Sequence, residues 1–124
     1  MPLTDWSERI IIVELFDEPA LSEDLEGICQ RLDALDAAPV ARRAAVDGEA
    51  PDVILNMQGV TYLNSSNIAQ LLRLRKKLIL LKTRLRVCCV NDSVWSLMLS
   101  TGLDAVFTFN DDVPTALASL QLTL

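Results

Sequence analysis

Two hydrophobic rhythms alternate along this chain. The run RIIIVELF (9–16) is rich in β-branched residues and predicts a strand; in the following DEPALSEDLEGICQRLDAL, Leu21, Leu25, Ile28, Leu32 and Leu35 recur at the spacing of an amphipathic helix. Its acidic residues Glu23, Asp24 and Glu26 suit a helix N-terminus. Residues 36–51 carry Pro39, Gly48 and Pro51 without sustained periodicity and read as a loop, with room for a short helical turn. DVILNM (52–57) predicts a second strand. Residues 66–82 predict the strongest helix, with Ile68, Leu71, Leu72, Leu78 and Leu81 on or near one face and Arg73, Lys76 and Lys77 on the wetter side.

The same alternation continues to the end. RLRVCCV (84–90) reads as a buried strand, and DSVWSLMLSTGL as a short helix capped by Asp92 or Ser93 and ended by Gly102. AVFTF (105–109) reads as a strand and DVPTALASL as a closing helix with proline in its first turn. Strands separated by helices cannot pair as hairpins, so the expected fold is α/β, a single domain over 1–124 with a largely parallel sheet of four to five strands. No internal repeat or low-complexity tract interrupts it.

Composition narrows the function more than the fold. The 124 residues are 51% hydrophobic and 23% charged, ordinary for a folded domain. No apolar run approaches the roughly 18 residues of a membrane span, and the N-terminus lacks a basic signal-peptide region, so a cytoplasmic location is expected. Histidine is absent, which removes the commonest neutral-pH base and metal ligand. With no Gly-rich phosphate loop and no C-x-x-C, no catalytic residue, cofactor or metal is expected. Cys88 and Cys89 sit in an apolar run and read as reduced, buried thiols.

The net charge of −6 is unevenly distributed: residues 53–91 hold seven of the eleven Lys and Arg and no acid, whereas residues 1–52 hold thirteen of the seventeen acids. The basic segment 73–86 lacks interleaved aromatics, so it reads as a solvated helix face and not as a nucleic-acid surface. Trp95, among Leu97, Met98 and Leu99, is read as core; Trp6, among polar neighbours, is a candidate partner contact.

The sharpest local feature is VTYLNSSNIAQLL, where an apolar run stops and Ser65-Ser66 stand between Asn64 and Asn67. A serine there can serve as a helix N-cap. It can also be a modification site, because the crevice beyond the carboxyl ends of strands is where partners meet open α/β sheets. A phosphoryl group would add about −1.5 to −2 charges beside the positive end of a helix.

These residues resemble the STAS domains of bacterial anti-sigma factor antagonists and sulfate transporter tails. VTYLNSSNIAQLL is similar to the family's strand end, Asp-Ser-Ser-Gly and apolar helix; VNDSVWSLMLSTGLDAVFTFNDDVPTAL is similar to its C-terminal helix, Gly-Leu turn, last strand and terminal helix. The resemblance covers about residues 9–122. It implies a non-catalytic antagonist that binds an anti-sigma factor/serine kinase, is phosphorylated at Ser65 with Ser66 as fallback acceptor, and is restored by a phosphatase.

By the same resemblance, Asn64, Ser65, Ser66 and Asn67 form the partner-binding stretch. Asn64 stands where the family usually has Asp and loses a carboxylate; Asn67 replaces Gly and adds a side chain where a partner would approach. The alternative is a constitutive adaptor of a stressosome-type scaffold or a lipid-transport ABC complex, with the serines only capping a helix. A small-ligand or nucleotide-binding domain is the third class, suggested by the crevice and the basic residues.

Overall fold

The computed structural model describes residues 3–7, 10–36 and 51–122. The expected loop is therefore outside the described residues for nearly all its length. The described elements run β1 (Leu3–Ser7), β2 (Ile10–Phe16), α1 (Ala20–Asp36), β3 (Asp52–Gly59), α2 (Ser65–Leu80), β4 (Leu85–Cys88), α3 (Asp92–Thr101), a 3₁₀ turn (Leu103–Ala105), β5 (Phe109–Asn110) and α4 (Val113–Leu122).

The strands form one sheet in the order β1-β2-β3-β4-β5. From β2 to β5 neighbouring strands are parallel, with Val13 opposite Leu55 and Leu55 opposite Val87 in the middle of the ladder. Both faces are covered, which is why the strand sequences are runs of apolar residues and not alternating ones. Ile11, Val13, Leu15, Val53, Leu55, Met57, Leu85 and Val87 face the main core, against leucines of α1 and α2 and Val94 and Met98 of α3. Ile10, Ile12, Ile54 and Cys88 face the other way, onto Ala116, Leu117 and Leu120 of α4.

Four sequence expectations are corrected. The antiparallel edge strand β1, paired with β2, was not anticipated; its mixed LTDWS sequence has no apolar run to announce it. The strand expected at 105–109 is confined to Phe109–Asn110, because Gly102 ends α3 at φ 78° and the chain then winds through the 3₁₀ turn to bury Leu103 and Phe107. Trp95 is 37% exposed, with its ring edge-on to Phe109 at 5.1 Å. Val94 and Met98, four apart, take the inward face of α3, which turns Trp95 and Leu99 outward. The cap of α3 is Asn91, whose side-chain amide donates instead to the carbonyls of Val60 at 2.6 Å and Gln58 at 3.3 Å.

On α2 the core positions are Asn67, Leu71, Leu74 and Leu78, with Ile68 and Leu81 packed against the cluster; Leu72 is 39% exposed. Arg73 and Lys77 are not merely solvated, since they pair with Glu26 and Asp33 of α1 and bridge the two helices. Asp24, expected to serve the helix N-terminus, is turned inward and buried. The cysteines are free thiols: Cys29 and Cys88 are buried and Cys89 is half-buried. Burial, together with the adjacent Cys89, pushes the Cys88 thiol up to about 12.

Candidate functional site

The strand β3 ends at Gly59, where the Phe16 ring lies over the backbone; a Cβ on Gly59 would stand 2.5 Å from the ring and 2.8 Å from the Leu15 carbonyl. This close approach requires glycine, and it holds the carboxyl ends of β2 and β3 together. The chain then turns through residues 60–64 and enters α2 at Ser65. Val60 and Leu63 are buried there, while Tyr62 between them is 68% exposed.

The entry to α2 is fixed by a reciprocal pair of asparagines. Asn64 is the N-cap, its side-chain oxygen accepting from the Asn67 N–H at 2.8 Å; the Asn67 side-chain oxygen accepts from the Asn64 N–H at 3.1 Å. This is a capping box with asparagine in both places, satisfying two backbone donors at once. Asn67 is fully buried, and its amide nitrogen donates to the Ser22 hydroxyl of α1 at 3.3 Å and to Gln70 at 3.4 Å. The expectation that Asn67 presents a side chain to a partner is corrected: that side chain is turned inward and engaged by the fold.

Around this cap the loops at the carboxyl end of the sheet are tied to one another. Ser22 donates from its N–H and its hydroxyl to the Glu18 carboxylate, and Gln70 reaches the Ser22 carbonyl at 3.3 Å. Thr61 donates to Asp17 from its N–H at 2.8 Å and its hydroxyl at 2.7 Å. The Ser93 hydroxyl of α3 donates to the Thr61 carbonyl at 3.0 Å. Hydrogen bonds from Thr61 hold the Asp17 carboxyl below its ordinary value, and those from Ser22 do the same for Glu18.

With capping done by Asn64 and Asn67, the two serines are left over. Ser65 and Ser66, the first two residues of α2, are exposed, and neither hydroxyl has a hydrogen-bond partner among the described residues. Ser65 also heads a row: Ala69, Leu72, Lys76 and Ile79 follow at helical spacing on the same outward stripe, all exposed, with Ile79 at 53%. The row offers apolar surface next to a hydroxyl at a helix N-terminus. No group of three or more Cys, Asp or Glu side chains suited to a metal occurs among the described residues.

Asn64, Ser65 and Ser66 were visible in the sequence as a cluster. Glu18, Ser22, Asp17, Thr61, Gln70 and Ser93 were not, since they meet the cluster from 30 or more residues away or carry no spacing signal. The N-x-x-N spacing of Asn64 and Asn67 was the one readable sign of the cap.

No curated protein matches the sequence. Among solved structures, an anti-sigma-factor antagonist (STAS) domain protein from Planctomyces limnophilus is similar at a TM-score of 0.68 with 18% identity, covering 96% of each chain. The Bacillus cell fate determinant SpoIIAA in its phosphorylated form is similar at 0.64 with 14% identity, covering 94% of this chain and 95% of that one. A chain of the stressosome, a signal integration and transduction hub, is similar at 0.65 with 14% identity over 97% and 96%. At such identities the likeness establishes the fold: α/β, with four parallel strands and interleaved helices. Residues 18–116 match the STAS domain, a span that runs from the loop before α1 into α4 and holds the whole Ser65 junction, and the chain belongs to that family.

Proposed function

We propose that this protein is a non-catalytic anti-sigma factor antagonist of the cytoplasm, which binds an anti-sigma factor/serine kinase through the start and outer row of α2 and is switched by phosphorylation at Ser65. The observation that carries this reading is the division of labour at the helix entry. The capping role a serine would ordinarily fill is taken by Asn64 and Asn67, and the Ser65 hydroxyl is left exposed, with no hydrogen-bond partner among the described residues.

A phosphoryl group on Ser65 would be tolerated by the fold, because the free N–H groups and dipole at the start of α2 favour negative charge. It would not be tolerated by a partner seated on Tyr62, Ala69 and Leu72, since about two added charges at the edge of an apolar contact must be desolvated or repelled. The switch therefore acts on docking and leaves the structure in place. Similarity to SpoIIAA, solved in its phosphorylated form, agrees with this reading. No helix among the described residues is long and apolar enough to cross a membrane.

The test is to incubate the protein with ATP and the serine kinase encoded nearest to it, and to map phosphate by mass spectrometry. Phosphate on Ser65, lost in Ser65→Ala, together with loss of kinase binding in Ser65→Asp, is the expected result. Absence of phosphate at both Ser65 and Ser66, or binding unchanged by Ser65→Asp, would overturn the proposal.

A further inference from the structure

The opposite end of the sheet contains a gap. The ladder between β4 and β5 spans only Val87 opposite Phe109 and Cys88 opposite Asn110. Alternate residues of a parallel strand turn their backbone groups to the same neighbour, and the Val87 N–H donates to the Thr108 carbonyl at 3.0 Å. The backbone of Leu85 therefore faces the same side, where β5 does not reach. A notch of about 190 Å³ opens there, walled by the last turns of α2, the start of β4 and residues 106–108.

Three arginines line this notch: Arg75 from α2, Arg84 just before β4 and Arg86 within it. They are not equivalent. Arg84 reaches the Asp52 carboxylate at 3.1 Å and the Leu120 carbonyl at 3.0 Å, so its charge is matched. Arg75 donates to the Val106 carbonyl at 3.0 Å, and Arg86 donates to the Ser119 hydroxyl at 3.1 Å and the Leu85 carbonyl at 3.3 Å. Both are held in place by neutral oxygens, and neither has a carboxylate partner among the described residues.

A guanidinium carries five N–H donors, so these bonds orient Arg75 and Arg86 while leaving most donors unspent. Burial, and then the like charge of Arg84, holds Arg86 below its usual value, with Asp52 opposing. Arg75, Arg84 and Arg86 around the single carboxylate of Asp52, which Arg84 holds, leave a local excess of positive charge among the described residues, on a protein of net charge −6. Thr83 and Thr108 add hydroxyls at the walls.

We propose that the notch is a binding site for a small doubly charged oxyanion, the phosphate of a metabolite or a compact dicarboxylate, gripped between Arg75 and Arg86. Planar forks of N–H donors match the paired oxygens of such groups, which a point charge does not. The site is separate from the Ser65 junction: Arg75 lies ten residues along α2, roughly 15 Å from it. Its occupant would brace the C-terminal half of α2 against the segment that leads into β5.

The test uses the full chain at constant ionic strength, titrated by calorimetry and thermal shift with inorganic phosphate, adenosine monophosphate and malonate in separate arms, with chloride as control. Saturable binding and a rise in melting temperature with at least one of the three are expected, and the arm that responds distinguishes phosphate from carboxylate chemistry. Arg75→Gln and Arg86→Gln should each weaken that binding by about tenfold, while Lys76→Gln, on the outward row of α2, should leave it within about twofold. Should Arg86→Gln fail to fold, Arg75→Lys keeps the charge and removes the fork, and is expected to weaken binding as well. No saturation in any arm, or binding equally reduced by Lys76→Gln, would overturn the site.

Discussion

The first turn of α2 holds four small polar residues with opposite fates. Asn64 and Asn67 close a hydrogen-bonded ring about the helix start, and Asn67 is sealed inside the protein against Ser22. Ser65 and Ser66, between them, face outward, their hydroxyls without a partner among the described residues. Asparagine and serine are both good caps on local grounds, so local chemistry cannot assign the roles. The assignment comes from tertiary position: the side of the turn that meets α1 becomes part of the fold, and the other side stays exposed to solvent.

The largest expected effect lies on the inward side. Asn67→Ala removes the acceptor of the Asn64 N–H and the donor to Ser22 in a buried place, and should cost about 2–3 kcal/mol in urea denaturation. Asn64→Ala loses the N-cap alone at a half-exposed position and should cost about 1 kcal/mol in the same assay. If these two prove as mild as changes at the serines, the distinction between the halves of the turn fails.

Acid should loosen the loops around the cap next. Asp17 and Glu18 have carboxyls depressed by hydrogen bonds from Thr61 and Ser22. A depressed folded value means that their contribution is complete above the ordinary carboxylate range and is lost as pH falls through the lower folded value. Protection factors of the Thr61 and Ser22 amides, taken relative to intrinsic exchange at each pH, are expected to fall over that acidic window, and Thr61→Val is expected to flatten the pH dependence at its own loop.

The smallest effect on stability should be at the site itself. Ser65→Ala and Ser66→Ala are expected to shift unfolding by no more than about 0.5 kcal/mol, while Ser65→Ala alone abolishes phosphate incorporation. A stability loss at Ser65 comparable to that of Asn64→Ala would return the serine to a capping role.

Much of the fold was legible in the sequence because burial on both faces makes β2, β3 and β4 apolar runs, and the helices between them keep a clean period. Legibility failed where a residue's environment depends on a distant element. β1 is an edge strand whose pairing with β2 leaves no apolar run. Trp95 faces outward because Val94 and Met98 claim the core side of a ten-residue helix, and its ring instead finds Phe109. At the site, the serine pair and Asn64 could be read directly. The inward turn of Asn67 could not, because it depends on Ser22, 45 residues earlier and brought alongside by the packing of α1 on α2.

The row that descends from Ser65 through Leu72 to Ile79 spans fifteen residues, about 21 Å of helix from first to last. A charge at one extremity of such a footprint sits at its margin, where it chiefly alters the frequency of productive encounter; apolar side chains further in govern residence time. On the proposed function, one helix would keep two kinetic controls apart. A phosphoryl group on Ser65 would set how often a partner arrives, and Leu72 and Ile79 would set how long it stays.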